Sequence, residues 1–213
     1  MSISEILAKD PRQEQPKFLG VMTGIVTNNQ DPEKLGRVKV KLPRLSGDDE
    51  SNWARIATLM AGKDRGAFFL PEVNDEVLVA FECGDINLPC IIGALWNGQD
   101  KPFETNSDGK NDKRVIKSRS GHLIRLDDKD GAEKIEIIDK SGKNLITIDT
   151  KSNRITISSD KDIELSATQG KVTINAQDIE LKSSASTQVE AGAGMDLKAS
   201  AKMTVKGATV EIN

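Results

Sequence analysis

From residue 135 onward the chain repeats one short pattern, apolar then polar then apolar. Ile135-Glu136-Ile137, Ile146-Thr147-Ile148, Ile155-Thr156-Ile157, Ile163-Glu164-Leu165, Val172-Thr173-Ile174, Ile179-Glu180-Leu181, Met195-Asp196-Leu197, Met203-Thr204-Val205 and Val210-Glu211-Ile212 all carry it. From Ile155 the first residues of successive units are 8, 9, 7, 16, 8 and 7 apart, and the weaker Thr187-Gln188-Val189 fills the long step, so the period is close to 8. A period of two inside each unit puts Ile and Val on one face of a strand and Thr, Glu or Asp on the other. No helix fits that alternation. Each unit is too short to stand alone as a strand, so the units must stack, and a fixed period of this kind marks a solenoid or a fibre.

One chain brings about two apolar side chains per unit, all facing the same way, which is too little to seal a column against water. Three strands per layer, one from each of three chains, would close a triangular prism. Its predicted core is Ile146, Ile148, Ile155, Ile157, Ile163, Leu165, Val172, Ile174, Ile179, Leu181, Val189, Met195, Leu197, Met203 and Val205. At the usual interstrand spacing of about 4.7–4.8 Å, nine or ten layers make a shaft roughly 45 Å long.

The earlier part of the chain reads differently. Strands are predicted over residues 18–27, 37–42, 53–58, 76–82 and 89–96, with 68–71 leading into the fourth. A turn-rich loop covers 28–36, a second loop passes through Gly62 and Gly66, and a tight turn sits at Gly84-Asp85. In the second strand Val38, Val40 and Leu42 face one way and Arg37, Lys39 and Lys41 the other. Five or six short strands in about 80 residues, without a convincing helix, predict a small closed β-barrel of OB type. Ile3, Ile6 and Leu7 suit a short amphipathic arm that docks on a neighbour.

Composition sharpens the boundary. All five Phe, both Trp and all seven Pro lie at or before Phe103. A narrow prism of stacked strands has no room for large aromatics and no place for Pro in its ladder. The predicted organisation is therefore an arm (1–17), a barrel (18–98), a polar linker (99–114) and an all-β shaft (115–213). The formal net charge of −3 belongs to the first 103 residues, with 12 basic and 15 acidic side chains, and the remainder balances at 18 and 18. No basic block suggests a nucleic-acid or membrane surface. The first ten residues lack the basic start and apolar run of a signal peptide, and no segment approaches a membrane span, so synthesis and assembly in the cytoplasm are expected. Cys83 and Cys90 are then expected as reduced thiols.

Several stretches in order resemble a known family. They are Gly24-Ile25-Val26-Thr27-Asn28-Asn29, the run from Asp31-Pro32-Glu33-Lys34-Leu35-Gly36 into Arg37-Val38-Lys39-Val40, Trp53-Ala54-Arg55, Phe69-Leu70-Pro71-Glu72-Val73, the strand at 75–82 and Gly93-Ala94-Leu95-Trp96. Ser120-Gly121-His122, Leu126-Asp127-Asp128 and Gly131-Ala132-Glu133-Lys134-Ile135-Glu136-Ile137 continue the match into the shaft. Together they resemble the central spike proteins of contractile injection machines, which span contractile-tailed phages, the valine-glycine-repeat proteins of type VI secretion and extracellular phage-tail-like systems.

The resemblance implies a homotrimeric needle beneath the inner tube, force-bearing and without chemistry of its own, that meets a target membrane only during puncture. The space of the linker is too small for the lysozyme domain of some phage spikes, and the longer platform of type VI relatives is not seen ahead of the barrel. Some spikes hold an apex metal with a His-x-His motif, whereas His122 is the single histidine here. The repeat is expected to end bluntly, and the resemblance implies a conical PAAR-type tip protein seated on Val210, Ile212 and Asn213. Baseplate hub or tube proteins are expected at the barrel, with Arg37, Lys39 and Lys41 as the docking side chains.

Other chemistry finds little footing. His122 follows Gly121 in a turn with no nucleophile motif nearby, so no catalytic or metal role is expected. The Asp127, Asp128, Asp130 and Gly131 cluster fails EF-hand spacing and reads as a polar hairpin turn. Ala191-Gly192-Ala193-Gly194 lacks the Lys and spacing of a phosphate loop and reads as a slim layer between Val189 and Met195. No cofactor is called for. Two alternatives remain: an OB-fold nucleic-acid binder using Arg37, Lys39, Lys41 and Arg44 with Trp53, Phe68 and Phe69, and a trimeric tail-fibre or adhesin shaft.

Overall fold

The computed structural model describes residues 17–45 and 49–212, and the expected arm (1–17) lies outside them except for Lys17. The chain divides into two compact units, one from the described residues up to 114 together with 126–133, the other from 115–125 and 134 onward.

The first unit is built on strands β1 (Val21–Asn28), β2 (Lys39–Lys41), β3 (Arg55–Ile56), β4 (Ala61–Gly62), β5 (Arg65–Gly66), β6 (Glu76–Phe81) and β7 (Pro89–Ala94). Five of them form one sheet in the order β2-β1-β6-β7-β3. β1 runs antiparallel to β6 with Thr23 opposite Leu78, and β3 runs parallel to β7 with Ile56 opposite Ile91. The two ends of that sheet meet. Val38, just before β2, and Ala54, just before β3, exchange both backbone hydrogen bonds at 3.1 and 2.7 Å, so the sheet curls into a barrel. The alternation along the strands does the rest: Met22, Val26, Val38, Val40, Leu42, Ala54, Val77, Val79, Phe81 and Ile91 all point inward and are buried. Gly24 stands where β1 passes closest to its neighbours; a Cβ there would lie 3.0 Å from Val79 Cγ2 and 3.3 Å from Val40 Cβ. Phe18 caps one end, edge-on to Phe81 at 5.3 Å between ring centroids.

Three local expectations change. The loop through Gly62 and Gly66 contains the β4–β5 hairpin, and residues 68–71 form no strand. The turn between β6 and β7 is not a two-residue Gly84-Asp85 hairpin but a short 3-10 turn, Glu82–Gly84, in which Cys83 and Gly84 both take positive φ (51° and 78°). Phe18 N–H donates to the Gly84 carbonyl there at 2.9 Å, which leaves little space for a larger residue.

After the barrel, β8 (Lys113–Lys117), β9 (Leu123–Asp127), β10 (Lys134–Ile138), β11 (Leu145–Asp149) and β12 (Arg154–Ser158) form a meander in chain order. β10 pairs antiparallel with β11, and β11 with β12. Their turns are built from residues that tolerate left-handed backbone: Gly142 (φ 74°) after Asp139, and Asn153 (φ 48°) before β12. Asp139 closes its turn by accepting from Ser141 Oγ at 2.8 Å and from the Asn144 N–H at 3.1 Å, and the Ser141 bond is the main reason its carboxyl sits well below the usual range. The first three repeat units thus pair within one chain, whereas one strand from each of three chains was expected. From residue 159 to 212 the expected strands form no ladder with their own chain. A strand's backbone needs a neighbour to bond to, and this chain folds none of its own units beside these.

Candidate functional site

The meander has its amphipathic faces reversed from the usual case. Ile135 and Ile137 on β10 stand opposite Ile148 and Ile146 on β11, which in turn stand opposite Ile155 and Ile157 on β12. With Ile116, Ile124 and Leu126 these residues make an unbroken apolar face, and every one is exposed. The other face carries the polar members of the triplets and is the better covered. Glu136 is 7% exposed, the only buried charged residue among those described. Arg125 Nε donates to Glu136 Oε2 at 2.7 Å and Lys134 Nζ lies 3.1 Å from its Oε1. Burial pushes the Glu136 carboxyl up, and the hydrogen bonds and charges of Arg125 and Lys134 outweigh it, so the group is held below its ordinary pKa.

Beyond Ser158 the apolar repeat continues without cover. Ile163, Leu165, Val172, Ile174, Ile179, Leu181, Val189, Met195, Leu197, Met203 and Val205 are all exposed, as are Val210 and Ile212; Asn213 lies outside the described residues. Such a run of large apolar side chains is far more than a monomer surface ordinarily shows.

The cationic strand of the barrel is more occupied than its sequence suggests. Arg37 makes a two-pronged pair with Asp31, Nε to Oδ2 and Nη2 to Oδ1 both at 2.8 Å, and its Nη2 also lies 2.9 Å from Glu33. Asp31, its side chain 3% exposed, further accepts the N–H groups of Glu33 and Leu35 at 3.0 Å, so it ties the 28–36 loop to the strand. The guanidinium is the main cause that holds the Asp31 carboxyl well below the usual range, and Asp31 and Glu33 push Arg37 up in return. Lys39 pairs with Glu50 at 3.2 Å, and both Arg37 and Lys39 lie over the Trp53 ring, 5.9 and 5.7 Å from its centroid. Lys41 is half-buried on the same strand. The three residues share a face, and Asp31, Glu33 and Glu50 already pair with Arg37 and Lys39 there.

His122 ends the β8–β9 hairpin, where its Nδ1 accepts the Lys140 N–H at 3.2 Å. The acidic cluster at 127–131 is a turn: the Lys129 N–H donates to Asp127 and the Ala132 N–H to the Lys129 carbonyl. Cys83 and Cys90 are free thiols. Among the described residues no group of three or more His, Cys, Asp or Glu is placed to hold a metal, and no helix is long and apolar enough to cross a membrane. Sequence reasoning missed the exposed aromatics of the barrel. Phe68, Phe69 and Trp96 all lie on the surface; the Gly62 and Gly66 turn signals beside the first two were the clue.

The chain is all-β, with a curled barrel sheet followed by a bare apolar repeat. Residues 22–96 match the Type VI secretion system/phage-baseplate injector OB domain. The chain is similar to the Type VI secretion system spike protein VgrG1a of Pseudomonas aeruginosa, 30% identical over 155 residues, which is 65% of this chain and 24% of that protein. VgrG5 of the same organism is 31% identical over 134 residues (57% and 17%), and VgrG3 of Vibrio cholerae 30% over 134 (57% and 13%). The chain thus carries the injector OB domain at residues 22–96 and is similar to VgrG spike proteins over 57–65% of its length. It matches no more than about a quarter of the length of these relatives.

Proposed function

We propose that this chain is the structural spike of a contractile injection system, a phage tail or phage-tail-like particle, and acts as a homotrimer that leads the tube through a target membrane. The carrying observation is the uncovered isoleucine face of β10–β12, continued by the bare repeat to Ile212. Three copies of the meander packed apolar face to apolar face would make the upper prism, each chain supplying one wall. Below it, where the chain makes no ladder of its own, strands from three chains would wind together as a triple-stranded β-helix. Covering the remaining half of each isoleucine contributes about 1 kcal/mol per side chain. Summed over the layers, that is ample to hold the chains together. An axial load is then shared by many interchain bonds, and one chain leaves only if the shaft unravels.

The reading divides the chain into arm, barrel, linker and shaft, with the tube or hub at the barrel end and no catalytic step anywhere. The family match and the relatives' names as spike proteins support it. The hub contact belongs on the Arg37, Lys39 and Lys41 face, where paired charges give the polar rim of an interface. The paired Arg37 and Lys39 speak against the nucleic-acid alternative. Val210, Ile212 and Asn213 of three chains form the seat of a PAAR-type tip protein, and assembly takes place in the cytoplasm. Light scattering on a sizing column tests the reading: an elongated species at three times 23.1 kDa, or 69.3 kDa, is expected, and a compact species at 23.1 kDa would sink it. Removing residues 203–213 should abolish capture of the tip protein while leaving the trimer; retained capture would move the seat elsewhere.

A further inference from the structure

The barrel has its own uncovered apolar face around the β4–β5 hairpin. Leu59 is 95% exposed, Phe68 76% and Phe69 67%, and Leu35, Met60 and Ile92 stand beside them around a groove of about 730 Å³. These side chains are held in place. Thr58 Oγ1 donates to the Ala67 carbonyl at 2.6 Å and the Ala67 N–H to the Met60 carbonyl at 3.0 Å, which clamps the two arms of the β4–β5 hairpin together. At Gly66 a Cβ would come within 2.6 Å of the Met60 carbonyl oxygen, so the backbone packs there as only glycine allows.

We propose that this face is where the barrels of three copies meet about their common axis; the proposal rests on the trimeric spike reading. Two observations select a second copy of this chain as the occupant. The first is size. From the fractional exposures, the six side chains present on the order of 800 Å² to water, above the roughly 300–600 Å² of a typical monomer's largest apolar patch and close to the ~800 Å² that each partner gives to a standard interface. The second is charge. The first 103 residues carry a net −3, so copies repel over most of their surface, yet Arg65 is the single charged residue lining this groove. It is the part of the barrel that like-charged copies can bring together at least cost. Around a three-fold axis equivalent residues converge, which suits an apolar tip as exposed as Leu59.

A chain carrying Leu59→Cys and Cys90→Ser tests this, with Cys83, exposed on the 3-10 turn, as the internal reference. In the isolated 69.3 kDa species, three times 23.1 kDa, the thiol at position 59 should react with a maleimide at least tenfold more slowly than Cys83, and the two rates should converge in guanidinium. Equal rates in an intact trimer overturn the barrel contact and leave the spike reading standing; a monomeric wild-type chain overturns both. Should the substituted chain fail to fold, carbene photolabelling of the unmodified protein gives the same decision. The peptide holding Phe68 and Phe69 should label several-fold less than the one holding the similarly exposed Trp96, and equal labelling counts against the contact.

Discussion

Ile137 and Ile146 stand directly opposite one another across the antiparallel β10–β11 ladder, and both keep about half of their surface in water, 51% and 40%. The ladder itself is satisfied, so the backbone asks for nothing more. What is left over is apolar area. Ile146→Asp places three carboxylates in one layer of the proposed prism, each costing several kcal/mol if buried without a partner. At micromolar concentration the variant is expected at 23.1 kDa with its barrel intact, read by light scattering and by far-UV circular dichroism. A variant that stays at the wild-type mass with the same denaturation midpoint would show that this face is not the contact.

Glu136, on the opposite face of β10, is held by Arg125 and Lys134. Glu136→Ala leaves Arg125 partly buried without its acceptor and is expected to destabilise the sheet by about 1–3 kcal/mol. Replacing both partners, Arg125→Met with Glu136→Leu, should restore most of the loss, because an apolar pair needs no desolvation. Urea unfolding of the two variants against wild type measures this. A double variant as weak as the single one would mean that the pair does more than satisfy itself.

The Arg37–Asp31 pair carries a pH signature. A carboxyl held below its ordinary pKa in the folded chain adds stability above about pH 4, and that increment fades as pH falls through the ordinary value toward the folded one. Asp31→Asn should therefore lower the melting temperature at pH 7 and make progressively less difference below about pH 4. The gap between wild type and variant, followed by thermal melts across that range, is the readout. A gap that does not narrow would assign the effect to lost hydrogen bonds alone.

Gly24 has no positive φ to explain it; its neighbours do. With Val79 Cγ2 3.0 Å and Val40 Cβ 3.3 Å from the place a Cβ would take, Gly24→Ala over-packs the barrel and should cost about 1–3 kcal/mol in chemical denaturation. Gly93→Ala on β7, where a Cβ meets nothing within 4 Å, is the control and should change stability by no more than about 0.5 kcal/mol. Equal effects at the two positions would remove close packing as the reason.

The alternation of Val38, Val40 and Leu42 against Arg37, Lys39 and Lys41 was legible in the chain, and so was the apolar repeat from Ile135 onward, because a period of two is a local property that each strand carries by itself. The same locality set limits. Ile146-Thr147-Ile148 and Ile163-Glu164-Leu165 look alike as triplets, yet the first finds a partner in its own chain and the second does not, since pairing depends on the turns between units and on which strands lie near. Closure of the barrel through Val38 and Ala54, the capture of Arg37 by Asp31 and of Lys39 by Glu50, and the presentation of Leu59, Phe68 and Phe69 on a clamped hairpin all came from the folded chain. Each joins groups that the local pattern does not link, and only three-dimensional packing decides whether a charge meets a carboxylate or an aromatic ring meets water.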